Sequence, residues 1–117
     1  YSSFGVVSGW TDSGDLNDFS LVPRIYDKVC FSWNTQMFAD RDWDFSLFKA
    51  QVIVFNLGTN DMSYCKDDAK CEAFTDCYVQ FLKHVRSINE KAHFILSIGI
   101  MEMGEVMAPW VEKTVKK

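Results

Sequence analysis

The chain has 117 residues, of which 48% are hydrophobic and 15% are aromatic, a composition that indicates one folded domain and excludes a disordered chain. Its net charge is -4 and its longest basic run is Lys116-Lys117, which argues against nucleic acid as a partner. No stretch approaches the roughly 20 apolar residues that span a bilayer, so we expect no membrane insertion.

The N-terminal part of the sequence predicts a strand, a helix and a long loop. Residues 4–8 favour a short strand, and because the chain starts there without an initiator methionine we expect a processed or partial chain. Apolar residues at helical spacing over 21–29, with Ser20 as a candidate N-cap and Pro23 in the first turn, predict a helix. Residues 30–44 are aperiodic and rich in aromatic side chains, which is typical of a loop that lines a site.

The C-terminal part of the sequence alternates strands with helices. A β-branched run at 51–56 is typical of a central parallel strand. Apolar residues three and four apart over 74–88 predict a long helix that ends near Asn89, with Asp67-Asp68 as its capping pair. A second apolar run at 93–100 predicts another strand.

The predicted elements follow the order β–α–loop–β–α–β–α, in which the last helix begins at Ala108 with Pro109 near position N1. Strands that alternate with helices form a parallel sheet with right-handed crossovers. We therefore expect a single α/β domain over residues 1–117, in a three-layer α/β/α arrangement that is incomplete at both ends.

Four cysteines limit the metal and redox chemistry of the chain. They are Cys30, Cys65, Cys71 and Cys77, of which the last three lie six residues apart. Zinc sites contain tighter cysteine pairs, so we expect no metal, and we expect no cofactor. A disulfide among the last three cysteines, with Cys65–Cys71 as a candidate, would favour an extracellular protein. The alternative is that Cys30 and Cys77 are buried as small apolar residues.

Two predicted strand ends carry polar groups that suit catalysis. Ser8-Gly9-Trp10 follows the first strand, and Gly58-Thr59-Asn60-Asp61 follows the strand at 51–56. Ligands bind beyond the carboxyl ends of the strands in open α/β sheets. Glycine exposes its backbone N–H and asparagine offers an uncharged NH2 donor, so together they suit the oxyanion of an acyl-transfer reaction. The alternative for the second motif is an ordinary turn after a strand.

The residues around these strand ends resemble those of a known enzyme family. Asn56-Leu57-Gly58-Thr59-Asn60-Asp61 is similar to the third conserved block of the SGNH (GDSL-like) hydrolases, and Ser8-Gly9 resembles the second. The stretch from Trp43-Asp44-Phe45-Ser46 to Asp61, and Leu96-Ser97-Ile98-Gly99-Ile100-Met101, are similar to the acetylxylan-esterase-like branch. The resemblance implies a flavodoxin-like SGNH fold and an ester hydrolase that deacetylates a carbohydrate.

The resemblance also implies a role for several residues of the two strand ends. The Gly9 N–H and the Asn60 side chain would form the oxyanion hole, with Gly58 as a supporting residue. Asp61 would fix the loop by accepting backbone N–H groups and would not act as a general base. Trp10, which follows Gly9 at a strand end, is the candidate for stacking on a sugar.

The sequence lacks the blocks that carry the nucleophile and the base in this family. It contains no Gly-Asp-Ser, and neither His84 nor His93 has an aspartate three residues earlier. His84 lies within the predicted long helix and His93 begins a strand, so we do not expect either to reach the strand ends. The serine and histidine of a Ser-His mechanism are therefore expected outside these 117 residues.

Two other functions are consistent with the sequence. The missing blocks are also expected of a non-catalytic SGNH-like module that serves binding or assembly. A flavodoxin-like binding domain is less favoured, because no glycine-rich phosphate loop follows the first strand. For the esterase, the expected partner is an acetylated carbohydrate or another small ester, and the expected location is extracellular.

Overall fold

The computed structural model of the chain describes residues 5–8, 21–29, 41–99 and 104–117. Several features predicted from the sequence lie outside these residues. They are Gly9, Trp10, Cys30 and the part of the long loop at 31–40. The prediction of Ser20 as N-cap is wrong, because the N-cap of the first helix is Leu21, whose side chain makes no capping hydrogen bond.

Two parallel strands form the centre of the described fold. β1 spans Val52–Asn56 and β2 spans His93–Ser97, and the strands pair residue for residue along their whole length. The strand predicted at 51–56 is confirmed, and the strand predicted at 93–100 is confirmed at its start but ends at Ser97. The parallel pairing is that expected when a helix connects the two strands. Because the strands run in the same direction, their carboxyl ends lie at one edge of the sheet.

The long helix α2 connects the two strands and spans Asp68–Ile88. The Asp67 side chain caps its first turn by accepting the backbone N–H of Lys70 at 2.9 Å. The helix ends at its C-cap Asn89. The predicted helix, its capping by Asp67 and its end near Asn89 are therefore confirmed.

The last helix, α3, spans Gly104–Lys116 and packs on α2. Its predicted start at Ala108 is wrong, because Pro109 lies inside the helix and not near N1. Met107 and Val111 are buried on one face of α3, so packing stabilises a helix that begins four residues before the predicted start. Proline cannot donate to the carbonyl four residues before it, and here the missing bond falls near the start of the helix.

The first helix, α1, spans only Val22–Ile25, with Pro23 in its first turn as predicted. Its predicted continuation to residue 29 is wrong. The Val29 N–H donates to the carbonyl of Arg41 at 2.9 Å, so the chain forms an antiparallel contact there in place of helical hydrogen bonds.

Residues 5–8 bend and do not form the predicted strand. The backbone N–H groups of Val6, Val7 and Ser8 all donate to the side chain of Asp61. A strand would need these donors for a neighbouring strand, so their use by a side chain explains the difference from the prediction.

The core lies between α2 and one face of the sheet. Phe55 is buried in β1, with its ring 5.0 Å from the ring of Phe94 and 6.1 Å from the ring of Phe81. Phe74 and Tyr78 are fully buried on α2. The apolar spacing predicted from the sequence therefore identifies the buried face of this helix.

The opposite face of the sheet is exposed among the described residues. Val52, Val54 and Ile95 have exposed fractions of 53%, 61% and 50%. Parallel sheets are normally covered on both faces, so the described residues form two layers of the expected three. None of the helices in the described ranges is both long enough and apolar enough to cross a membrane.

Cys65, Cys71 and Cys77 are free thiols, so the expectation of a disulfide among them is wrong for this structure. Cys65 and Cys71 are buried in the core. Burial raises the pKa of the Cys65 thiol, and a hydrogen bond with Cys71 raises it further. The two side chains pack as small apolar residues, and they give no support for an oxidising location.

Candidate active site

The loop after β1 turns at Gly58. Its φ of 121° lies in a region that favours glycine. A Cβ there would meet Phe74, Met107 and Val111 at 3.7–3.9 Å, which is ordinary van der Waals contact. The backbone conformation therefore requires glycine at this position, whereas the surrounding space does not.

A 3-10 turn over Asn60–Ser63 follows Gly58 directly. The Ser63 hydroxyl donates to the carbonyl of Asn60 at 3.0 Å. The Asp61 carbonyl accepts the N–H of Tyr64 at 3.0 Å. The sequence predicted only a polar loop here, and a serine three residues after Asn60 was the one local signal for a closed turn.

Asn60 is the first residue of this turn, at the carboxyl end of the sheet. Asn60 is half-buried, and its side-chain amide makes no hydrogen bond to any other residue within the ranges that the structure describes. An amide in this position can donate an uncharged N–H to a developing negative charge.

Asp61 is fully buried and its carboxylate accepts backbone N–H groups. Oδ1 accepts from Val6 at 2.8 Å, from Val7 at 2.7 Å and from Ser8 at 3.0 Å, and Oδ2 accepts from Val6 at 3.0 Å. Burial raises the pKa of Asp61, and the backbone donors oppose this effect. Because the carboxylate is enclosed and already accepts these bonds, it is unsuited to act as a general base.

Gly5 lies against the same carboxylate. A Cβ at Gly5 would lie 2.7 and 2.8 Å from the two Asp61 oxygens and 2.1 Å from the Ser8 carbonyl oxygen. No side chain fits at these distances without a shift of the surrounding groups. The sequence did not indicate this residue, because the fold brings both excluding groups close to it: a bend at residues 6–7 places the Ser8 carbonyl there, and Asp61 is distant in the chain.

The end of β2 closes on the same loop. Ser97 donates its hydroxyl to the carbonyl of Phe55 at 3.3 Å. A Cβ at Gly99 would lie 3.0 Å from the Thr59 hydroxyl and 3.6 Å from the Asn56 side-chain oxygen. The segment after β2 therefore runs directly beside the loop that carries Asn60.

The structure brings together some of the residues predicted at the strand ends. The Asp61 side chain accepts the backbone N–H of Ser8, so the segment that ends at Ser8 lies beside the turn that begins at Asn60. Gly9 itself and Trp10 are outside the described residues.

The two histidines lie elsewhere. His84 is near the C-terminal end of α2, where its Nε2 pairs with Asp27 at 2.8 Å. His93 is exposed at the start of β2, the end of the strand away from Asn60. Among the described residues, no group of three or more candidate ligands is placed to hold a metal ion.

Comparison with known proteins identifies the family of the chain. The sequence is 32% identical over 114 residues to the acetylxylan esterase / glucomannan deacetylase of Cellvibrio japonicus (strain Ueda107). This match covers 90% of the chain. The chain belongs to the acetylxylan-esterase-like branch of the SGNH hydrolases. It spans only 29% of the length of this curated relative. No family model matches the sequence.

Solved structures of similar proteins have the same fold. An acetyl xylan esterase (Est2A) from the rumen bacterium Butyrivibrio proteoclasticus superposes with a TM-score of 0.77 at 20% identity. This comparison covers 97% of the chain and 36% of that structure. A family two carbohydrate esterase from Clostridium thermocellum, in complex with cellohexaose, gives a TM-score of 0.74 at 25% identity. It covers 97% of the chain and 32% of that structure, so the SGNH-type α/β fold is confirmed, and the chain matches only part of the longer protein.

Proposed function

We propose that this chain is part of an ester hydrolase that removes acetyl groups from a carbohydrate. The observation that carries the proposal is the position of Asn60, which begins a closed turn at the carboxyl edge of the sheet, beside the segment that leads to Gly9. The sequence identity with the Cellvibrio japonicus esterase supports the same reaction class.

The proposed mechanism is acyl transfer through a Ser-His pair. The serine oxygen attacks the acetyl carbonyl while the histidine takes the serine proton, and the carbonyl oxygen becomes negatively charged. The Gly9 N–H and the Asn60 side chain donate hydrogen bonds to this oxyanion, and Gly58 and Asp61 hold the loop. The serine and the histidine come from sequence outside these 117 residues.

We propose an acetylated polysaccharide as the substrate and an extracellular location, where such a substrate is found. The Cellvibrio japonicus relative is an acetylxylan esterase / glucomannan deacetylase, and the Clostridium thermocellum structure contains cellohexaose. Trp10 is the proposed stacking surface for a sugar ring, because it follows Gly9 in the sequence.

The test replaces Asn60 with alanine in the full-length protein that carries this chain. Loss of one oxyanion donor is expected to lower kcat by about 10²–10³-fold on p-nitrophenyl acetate and on acetylated xylan. Gln51→Ala is the matched control, because it removes an exposed amide at the other end of β1. If Asn60→Ala kept its turnover within about a factor of two, the assigned role would be wrong.

A second candidate function is a non-catalytic SGNH-like module for binding or assembly. It is favoured by the absence of Gly-Asp-Ser and of an Asp-x-x-His motif from the sequence. Intact mass and an esterase assay on the native protein separate the two functions. A species much heavier than 13.5 kDa with esterase activity supports the hydrolase, whereas an inactive species of that mass supports the module.

A further inference from the structure

Asp61 joins the two strand ends through different parts of the same residue. Its side chain accepts N–H groups from the three residues that precede Gly9, and its backbone directly follows Asn60. Its carbonyl accepts the N–H groups of Tyr64 and Cys65 at 3.0 and 2.9 Å. The backbone thus fixes Asp61 in the 3-10 turn, while the side chain holds residues 6–8.

One oxygen of the carboxylate makes most of the side-chain contacts. Oδ1 accepts all three N–H groups, whereas Oδ2 accepts only that of Val6. Several convergent backbone N–H groups form a concave site for an anion, and here the anion is a side chain of the same chain. A shift of Oδ1 would therefore move the whole segment from Val6 to Ser8.

Gly5 leaves room for the Asp61 carboxylate, and its carbonyl attaches the N-terminal end of the segment from Gly5 to Ser8. A side chain at Gly5 would overlap both the Asp61 carboxylate and the Ser8 carbonyl oxygen. The Gly5 carbonyl also accepts the N–H of Val22 at 3.0 Å, which attaches the segment to the start of α1. The segment from Gly5 to Ser8 is thus fixed at α1 and at Asp61, immediately before Gly9.

We propose that Asp61 and Gly5 are positioning residues that hold the segment from Val6 to Ser8 against the turn that begins at Asn60. The inference rests on the proposed function, because both residues act through the oxyanion donors and do not touch the substrate. Misplacement of a catalytic group by about 1 Å can cost about 10²-fold in rate, so a small shift of this segment is sufficient for a measurable effect.

The experiment compares Gly5→Ala, Asp61→Asn and Asp61→Ala in the full-length protein, with p-nitrophenyl acetate as substrate. We expect Gly5→Ala to lower kcat by about 10–100-fold and to change KM by less than about twofold. Asp61→Asn retains the Oδ1 acceptor, so its loss in kcat should be smaller than that of Asp61→Ala. Gly104→Ala is the control, because a Cβ at Gly104 meets nothing within 4 Å.

Thermal melting separates a positioning role from a purely structural one. A purely structural role would reduce the amount of folded enzyme and leave the kcat of each folded molecule unchanged. If Gly5→Ala does not fold, the near-isosteric Asp61→Asn provides the same comparison. A lowered kcat in folded Asp61→Asn, with an unchanged KM, supports the proposal.

Two outcomes would overturn the positioning role. One leaves the proposed esterase function intact, and the other overturns that function as well. If Asp61→Asn and Gly5→Ala match Gly104→Ala in kcat while Asn60→Ala is impaired, the positioning role is wrong and the proposed function stands. If Asn60→Ala also keeps its full turnover, the proposed function and the positioning role are both wrong.

Discussion

At the scale of the residue, Asp61 is unusual in how its charge is stabilised. A buried carboxylate is commonly paired with a cation, but the bonds that Asp61 accepts come from backbone N–H groups. These donors favour the ionised form and burial favours the neutral form. Burial has the larger effect and raises the pKa of Asp61 from its ordinary value of 3.8. The Asp61 carboxyl group therefore binds its proton more tightly in the folded chain than in the unfolded chain.

Asp61→Asn is expected to remove a pH dependence of stability. A carboxyl with a raised folded pKa contributes stability below its unfolded pKa, near 3.8, and the contribution is lost as pH rises through the folded pKa. The free energy of unfolding of the wild type, relative to that of Asp61→Asn, should therefore fall as pH rises from about 3.8 to the raised folded pKa, and it should stay constant at higher pH. Urea unfolding of both proteins from about pH 3 to about pH 8 measures this difference. If the stability of the wild type relative to Asp61→Asn instead increased with pH, the backbone N–H donors would have a larger effect on the pKa of Asp61 than burial has.

At the scale of the element, the N-terminus of α2 offers a local test of stability. Asp67→Ala removes the side chain that accepts the Lys70 N–H and should destabilise the protein by about 1 kcal/mol. Chemical denaturation measures this change. Glu112→Gln is the control, because it removes an exposed ion pair with Lys116 and should leave the unfolding midpoint nearly unchanged. An equal effect of both substitutions would contradict the capping role.

Local spacing explains which elements were predictable from the sequence. The β-branched run of β1 and the apolar period of α2 are set by neighbouring residues, and both elements were predicted to within a few residues. The short α1 and the early start of α3 were not predicted, because they depend on Arg41 and on packing against α2. A helical period therefore identifies the buried face of an element more reliably than its ends.

The candidate site was predictable to the extent that its residues are adjacent in the sequence. Asn60 and Asp61 follow β1 directly, so their place at the sheet edge follows from the strand. Gly5 was missed because its constraints come from the bend that brings the Ser8 carbonyl close to it and from Asp61, which is distant in the chain. The strand predicted at residues 4–8 is wrong over the described residues 5–8, because the Asp61 side chain accepts the N–H groups that a neighbouring strand would otherwise accept.

At the scale of the whole molecule, the described residues cover one face of the sheet with helices. The opposite face presents the apolar side chains of Val52, Val54 and Ile95. The chain corresponds to 36% and 32% of the two solved chains described above, so most of those chains has no counterpart in these residues. An exposed apolar face on a parallel sheet is the surface that a further layer of the same domain would cover.

Val54→Lys tests whether that layer exists in the full-length protein. A lysine beneath a packed layer would be buried without a partner, so we expect the melting temperature to fall by about 5 °C or more. Val115→Lys is the matched control, because Val115 has an exposed fraction of 65%, close to the 61% of Val54, but lies near the end of α3. A cation near a helix C-terminus is favourable, so Val115→Lys should not lower the melting temperature. If both variants had the same melting temperature as the wild type, the outer face of β1 would be open to solvent in the full-length protein as well. A selective loss at Val54 would instead mean that both faces of this sheet are buried, as the three-layer fold requires.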